Sequence, residues 1–134
     1  MDKAVFKVAD PVYLTKDEIT ENIINPRISE LSKKVMRAAK DELGNKLDKV
    51  ILYGSYARGD YDNESDIDFF ILADISQKEA AIQRGNIRKR LSGIDLDFDI
   101  TVSLHVTGSE IFNKYTDTLP FYMNIIKEGV VLFD

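Results

Sequence analysis

The sequence contains no cysteine. That excludes disulfides and any cysteine-held metal, and it fits a reducing cytoplasm. No apolar run approaches the length of a membrane span, and the first residues lack the basic start and apolar stretch of a signal peptide. A cytoplasmic location with no membrane partner is therefore the expectation. There is no internal repeat, low-complexity segment or linker. Basic residues are in the minority, with 18 Lys and Arg against 23 Asp and Glu, for a net charge of −5. Non-specific nucleic-acid binding depends on neutralising phosphates with Lys and Arg, so this balance argues against extended nucleic acid as a partner. The single histidine, His105, is assigned a structural role. What remains is ordinary: 134 residues, 44% hydrophobic and 31% charged. These values predict one domain with its own core over residues 1–134, residues 1–14 forming a loose N-terminal extension.

The informative stretch is KVILYGSYARGDYDNESDIDFFIL, from Lys49 to Leu72. Val50-Ile51-Leu52-Tyr53 is short, apolar and β-branched, as a buried strand should be. It stops at Gly54-Ser55. After an acidic loop, Asp66-Ile67-Asp68 opens a second apolar run, Phe69-Phe70-Ile71-Leu72. Alternation along a strand puts Asp66 and Asp68 on one face and Ile67 on the other. Two carboxylates on rigid backbone, facing a glycine-serine turn, suit a hard cation such as Mg²⁺, and free N–H groups at such a turn suit phosphate. Asp60, Asp62, Asn63 and Glu64 read as a solvated turn.

Gly54-Ser55, ten intervening residues and Asp66-x-Asp68 resemble the signature of the nucleotidyltransferases similar to DNA polymerase β. More narrowly, GSYARGDYDNESDIDF resembles the minimal nucleotidyltransferases of bacteria and archaea, many of them antitoxins encoded beside a HEPN-domain partner. The likeness runs from about Leu47 to Leu104, and more loosely over Leu119–Phe133. It implies an α+β fold, a small mixed sheet flanked by helices. It also implies a third carboxylate on a strand after the second helix. Asp99 is the preferred residue, with Asp97 on the same face as the alternative.

Elsewhere the pattern predicts a helix from Thr15 to about Ile23, and another opened by Asn25-Pro26 and closed by Gly44, with Ile28, Leu31, Val35, Ala38, Ala39 and Leu43 inward. Ser76-Gln77-Lys78-Glu79 reads as a capping box for a helix to about Leu91, weakened by Gly85. The basic residues of these two helices, Lys33, Lys34, Arg37 and Lys40, then Arg84, Arg88, Lys89 and Arg90, read as solvated faces. Ile94 to Leu104 alternates apolar and polar and predicts one half-buried strand. A helical turn from Thr107, a helix from Pro120 to Gly129 with Phe121, Ile125 and Ile126 as its apolar stripe, and a strand Val130–Phe133 complete the chain. The three strands around one helix suggest a mixed sheet with helices on one side.

The chemistry implied is transfer of NMP from an NTP, ATP by family resemblance, to a hydroxyl, with release of pyrophosphate. Two Mg²⁺ ions, or Mn²⁺, about 3.5–4 Å apart would be held by Asp66, Asp68 and Asp99. Gly54 and Ser55 would contact the nucleotide phosphates. Arg58 would either neutralise the triphosphate or pin the acidic loop by pairing with Asp60 or Asp62. Only about 35 residues follow Asp99, so the acceptor surface is expected from a HEPN-type toxin or a second copy of the chain. Two alternatives stay open: a small-molecule, aminoglycoside-like nucleotidyltransferase, and a non-catalytic antitoxin module.

Overall fold

The computed structural model of the protein describes residues 12–13 and 26–134. The expected helix from Thr15 and the tail before Val12 lie outside the described residues. Strand β1, Val12–Tyr13, pairs in parallel with the last strand of the chain, β5 (Val130–Phe133). Pro26 opens helix α1, Pro26–Leu43, at a position where its missing N–H costs nothing. The six apolar positions expected to face inward are all buried. Gly44, at φ +56°, leads through a short 3₁₀ turn into strand β2, Leu47–Tyr53.

A four-residue helix α2, Ser55–Arg58, follows, then strand β3, Ile67–Ala73. Helix α3, Gln77–Arg90, is capped by Ser76, whose hydroxyl accepts from Glu79 N–H at 3.1 Å. Helix α4, Ile94–Phe98, precedes strand β4, Val102–Gly108. Helices α5, Ser109–Tyr115, and α6, Pro120–Glu128, lead to β5. The sheet runs β1-β5-β2-β3-β4; β2 is antiparallel to both β3 and β5, and β3 is parallel to β4.

Alternation sends the two faces of the sheet to two cores. Val50, Leu52, Ile67, Phe69 and Ile71 join Ile28, Leu31, Val35 and Ala39 of α1 and Ile87 of α3. Ile51, Phe70, Leu72 and Val131 meet Phe112 of α5 and Ile125 and Ile126 of α6. Helices therefore cover both faces, not one. Twelve fully buried Phe, Ile and Leu side chains in these two cores would each contribute about 1.5–3 kcal/mol relative to exposure, which makes burial the term that fixes the strand register.

The expected strand over Ile94–Leu104 is corrected. Its first half is helix α4, bounded by left-handed Gly93 (φ +84°) and Asp99 (φ +53°), and Leu96 is 86% exposed. The reason is tertiary. Arg88 donates two bonds from Nη2 to the Asp95 carboxylate, at 2.9 and 3.1 Å, and Asp95 Oδ2 also accepts from the Val102 N–H. A buried alternating strand has no place for that clasp.

The basic faces also differ from expectation. Arg88 pairs with Asp95, Arg90 with Glu42 and Asp41, and Arg84 donates to the Leu104 carbonyl at 2.8 Å. Of the apolar stripe expected on α6, Ile125 and Ile126 are buried, while Phe121 is 39% exposed.

Candidate active site

The site forms where β2 ends. Tyr53, its last residue, pairs across the ladder with Asp68 of β3. The chain then turns at Gly54, with φ 76° and ψ −156°, a conformation open essentially to glycine. A Cβ there would also collide with Asp68 Oδ2. Gly54 therefore lets the turn and the carboxylate lie against each other. Its carbonyl accepts from Ala57 and Arg58 N–H at 3.0 and 3.1 Å, and so starts α2. The first N–H groups of a helix have no partner within it, and in α2 these are the N–H groups of Ser55 and Tyr56.

Asp66 is exposed just ahead of β3, and Asp68 is half-buried within it. Burial first, and the neighbouring Asp66 charge second, raise Asp68 above the ordinary carboxylate range; a hydrogen bond from Ser103 and the Arg58 charge oppose the rise. That balance is what two carboxylates on one face require. They repel, and a cation would relieve the repulsion.

Asp99 is not brought to the pair. It caps the C-terminal end of α4 and lines a cavity with Arg27, Tyr56, Tyr61, Asp62 and Asn63. Asp97 lies elsewhere, facing Lys33, Lys34 and Arg37 across the groove beside α1. The residue of β4 opposite Asp68 is Ser103. Among the described residues, no three His, Cys, Asp or Glu side chains gather as a metal cluster. The strand expected to carry the third carboxylate starts three residues later than Asp99, at Val102.

Arg58 is held by two carboxylates. Its Nε donates to Asp60 at 3.2 Å and its Nη1 to Glu128 at 3.1 Å. The expected pinning of the acidic loop is present through Asp60. The loop is further closed by Asp62, which accepts from Glu64 N–H, and by Ser65, whose hydroxyl accepts from Asp62 N–H. Tyr61 stacks on Tyr56 with ring centroids 4.0 Å apart.

Sequence reasoning passed over an aromatic ledge on the same sheet face. Tyr53 Oη and His105 Nδ1 share a hydrogen bond of 2.9 Å, and Phe121 packs edge-on to Tyr53 at 5.7 Å and tilted against His105 at 5.3 Å. Burial and then Asp68 push the Tyr53 hydroxyl up to about 12, so it keeps its proton. Partial burial and then Arg84 lower His105, favouring neutral imidazole. The only sequence signal for this ledge was period-two spacing: Tyr53, Asp68, Phe70, Ser103 and His105 share a face.

Residues 32–131 match the family described as "Nucleotidyltransferase domain". The chain belongs to that family. Two Methanocaldococcus jannaschii proteins are similar to this nucleotidyltransferase. "Putative protein adenylyltransferase MJ0604" is 33% identical over 101 residues, covering 75% of this chain and 93% of its own. "Putative protein adenylyltransferase MJ0141" is 37% identical over 95 residues, covering 71% and 94%. Among solved structures, a toxin–antitoxin crystallised with AMP-PNP superposes with TM-score 0.52 at 21% identity, over 75% of this chain and 71% of that one. A Sulfolobus solfataricus protein described as a putative nucleotidyltransferase gives 0.51 at 17% identity, over 83% and 89%. At those identities the superpositions show the nucleotidyltransferase fold, α+β with a mixed sheet. Among the described residues, no helix is long and apolar enough to cross a membrane.

Proposed function

We propose that the chain is a protein adenylyltransferase that moves AMP from ATP to a hydroxyl on a partner protein. The partner we infer is a HEPN-type toxin, which would make this chain its antitoxin. The observation that carries the reading is the Asp66–Asp68 pair set against the Gly54-Ser55 turn, in a chain similar to two proteins named for protein adenylylation.

Hard oxygen donors fit Mg²⁺ or Mn²⁺, and Asp66 and Asp68 are the residues that would hold it. Bound there, divalent metal would supply charge neutralisation for the triphosphate and activation of the acceptor hydroxyl. The Gly54 turn admits phosphate close to the backbone. The Ser55 hydroxyl and N–H donate to phosphate oxygens, and Arg58 adds a positive charge beside them. Ser103 donates to Asp68 and holds its carboxylate in place. The acceptor hydroxyl would belong to a partner protein, a reading supported by the two similar proteins named as putative protein adenylyltransferases. The reaction is placed in the cytoplasm, where ATP and Mg²⁺ are available together.

The test is transfer from labelled ATP to the product of an adjacent gene, with Mg²⁺ present. Label should appear on a hydroxyl residue of that partner and disappear in the Asp66→Asn, Asp68→Asn double variant. Labelling undiminished in the double variant would remove the assignment.

A further inference from the structure

Arg58 is tied to Asp60, two residues away, and to Glu128, seventy residues away. The first contact is local. The second joins the end of α2 to the end of α6, and both ends are fixed on β2. Arg58 follows directly from the Gly54 turn that closes β2. Glu128 is the last residue of α6, and Gly129 after it donates to the Ile125 carbonyl at 2.8 Å. A Cβ at Gly129 would lie 2.6 Å from Ile51 Cγ2 and would collide with the Ile125 carbonyl. Only glycine allows α6 to end this close to β2, and that approach delivers the Glu128 carboxylate to Arg58.

The two carboxylates use Nε and Nη1 of the guanidinium, whose N–H donors suit carboxylate and phosphate alike. Arg58 lies one turn after Ser55 on α2, and its backbone N–H donates to the Gly54 carbonyl at 3.1 Å. A polyphosphate at the Gly54-Ser55 turn would therefore want the same guanidinium that Glu128 holds, and the two anions repel each other. We propose that Glu128 sets the affinity of the site for nucleoside triphosphate, by occupying Arg58 until the polyphosphate displaces it. The inference rests on the phosphate-binding role given above to Gly54, Ser55 and Arg58. Glu128 is a positioning residue acting through Arg58.

The pair is well exposed, with side chains 44% and 36% accessible. An exposed pair of this kind allows an effect of about two- to fivefold on affinity. Calorimetric titration with Mg²⁺ and AMP-PNP reads it directly. Glu128→Gln should bind the nucleotide about two- to fivefold more tightly than wild type, and Glu128→Ala should do the same if the glutamine variant folds poorly. Tighter binding is a gain that structural damage does not produce. Arg58→Ala should bind more weakly, and adding Glu128→Gln to it should change nothing further. The proposal is overturned if removing the Glu128 carboxylate leaves affinity unchanged or weakens it. It is equally overturned if the gain persists without Arg58, or if Arg58→Ala binds as wild type does. A wild type that binds no nucleotide would sink the adenylyltransferase reading along with it. A wild type that binds, with neither Glu128 variant tighter, sinks this inference alone.

Discussion

Asp68 and Ser103 stand opposite each other on parallel strands β3 and β4, and the Ser103 hydroxyl donates to the Asp68 carboxylate. The neighbour of the proposed metal-binding aspartate on that side is thus an uncharged donor. Ser103→Ala should take away the one hydrogen bond that holds Asp68 down, and so raise its pKa further. An NMR titration of the Asp68 carboxyl in both proteins reads this. An unchanged midpoint would mean that the hydroxyl does not hold the ionised carboxylate.

The same shift fixes a stability profile. Asp68 titrates higher in the folded protein than in the unfolded chain. Between the two values the folded state binds more protons, so stability falls as pH rises through that window. At neutral pH the ionised Asp68 is a cost, which Asp68→Asn removes at nearly constant shape. The variant should melt higher than wild type in EDTA. Mg²⁺ should raise the melting temperature of wild type by binding the native state, and that of the variant much less. Equal Mg²⁺ shifts in both proteins would remove the proposed metal site.

Ser55 sits at the start of α2 and makes no side-chain cap there; the cap position is Gly54, without a side chain. Ser55→Ala should therefore leave the melting temperature close to wild type. It should weaken use of ATP by roughly 1.5–3 kcal/mol, the value of a hydrogen bond to a charged group. Unchanged kcat and KM for ATP would count against a phosphate-binding role.

How much of this was legible in the sequence depends on what each residue answers to. Val50–Tyr53, Asp68 and Phe69–Leu72 obey local periodicity, and the structure keeps them in the two strands expected. Ser76 and Pro26 are local signals too, and both open helices where expected. Ile94–Phe98 fails because its conformation answers to Arg88, a residue on another helix. On α6 the expected stripe holds at Ile125 and Ile126, which share a core with Phe70 and Val131, while Phe121 stays partly exposed against Tyr53 and His105. The Arg58–Glu128 pair joins residues seventy apart in the chain, and no local pattern announces a contact of that separation.

Gly85 offers a control away from the site. It lies within α3, and a Cβ there would meet nothing within 4 Å. Gly85→Ala should stabilise the protein by about 1 kcal/mol, through helix propensity and the reduced freedom of the unfolded chain. Denaturant melts should show a higher midpoint at unchanged slope, with ATP use unaltered.

The last prediction separates Asp99 from the carboxylate pair. Family resemblance made it the third catalytic carboxylate, whereas the structure sets it at the end of α4, beside Arg27 and Tyr61 and away from β4's Ser103. Asp99→Asn should therefore leave transfer within a few-fold of wild type, while Asp66→Asn or Asp68→Asn alone removes most of it. Asp99 does have a structural part to play: it holds φ +53°, a left-handed conformation that asparagine tolerates as readily as aspartate. Asp99→Asn should accordingly fold and melt as wild type does, and Asp99→Val should melt lower because a β-branched residue resists that conformation. The discriminating measurement is the transfer rate with saturating Mg²⁺ and ATP. If Asp99→Asn loses as much activity as Asp68→Asn while melting normally, Asp99 joins the pair during turnover, and the segment from Phe98 to Thr101 must move to bring it there.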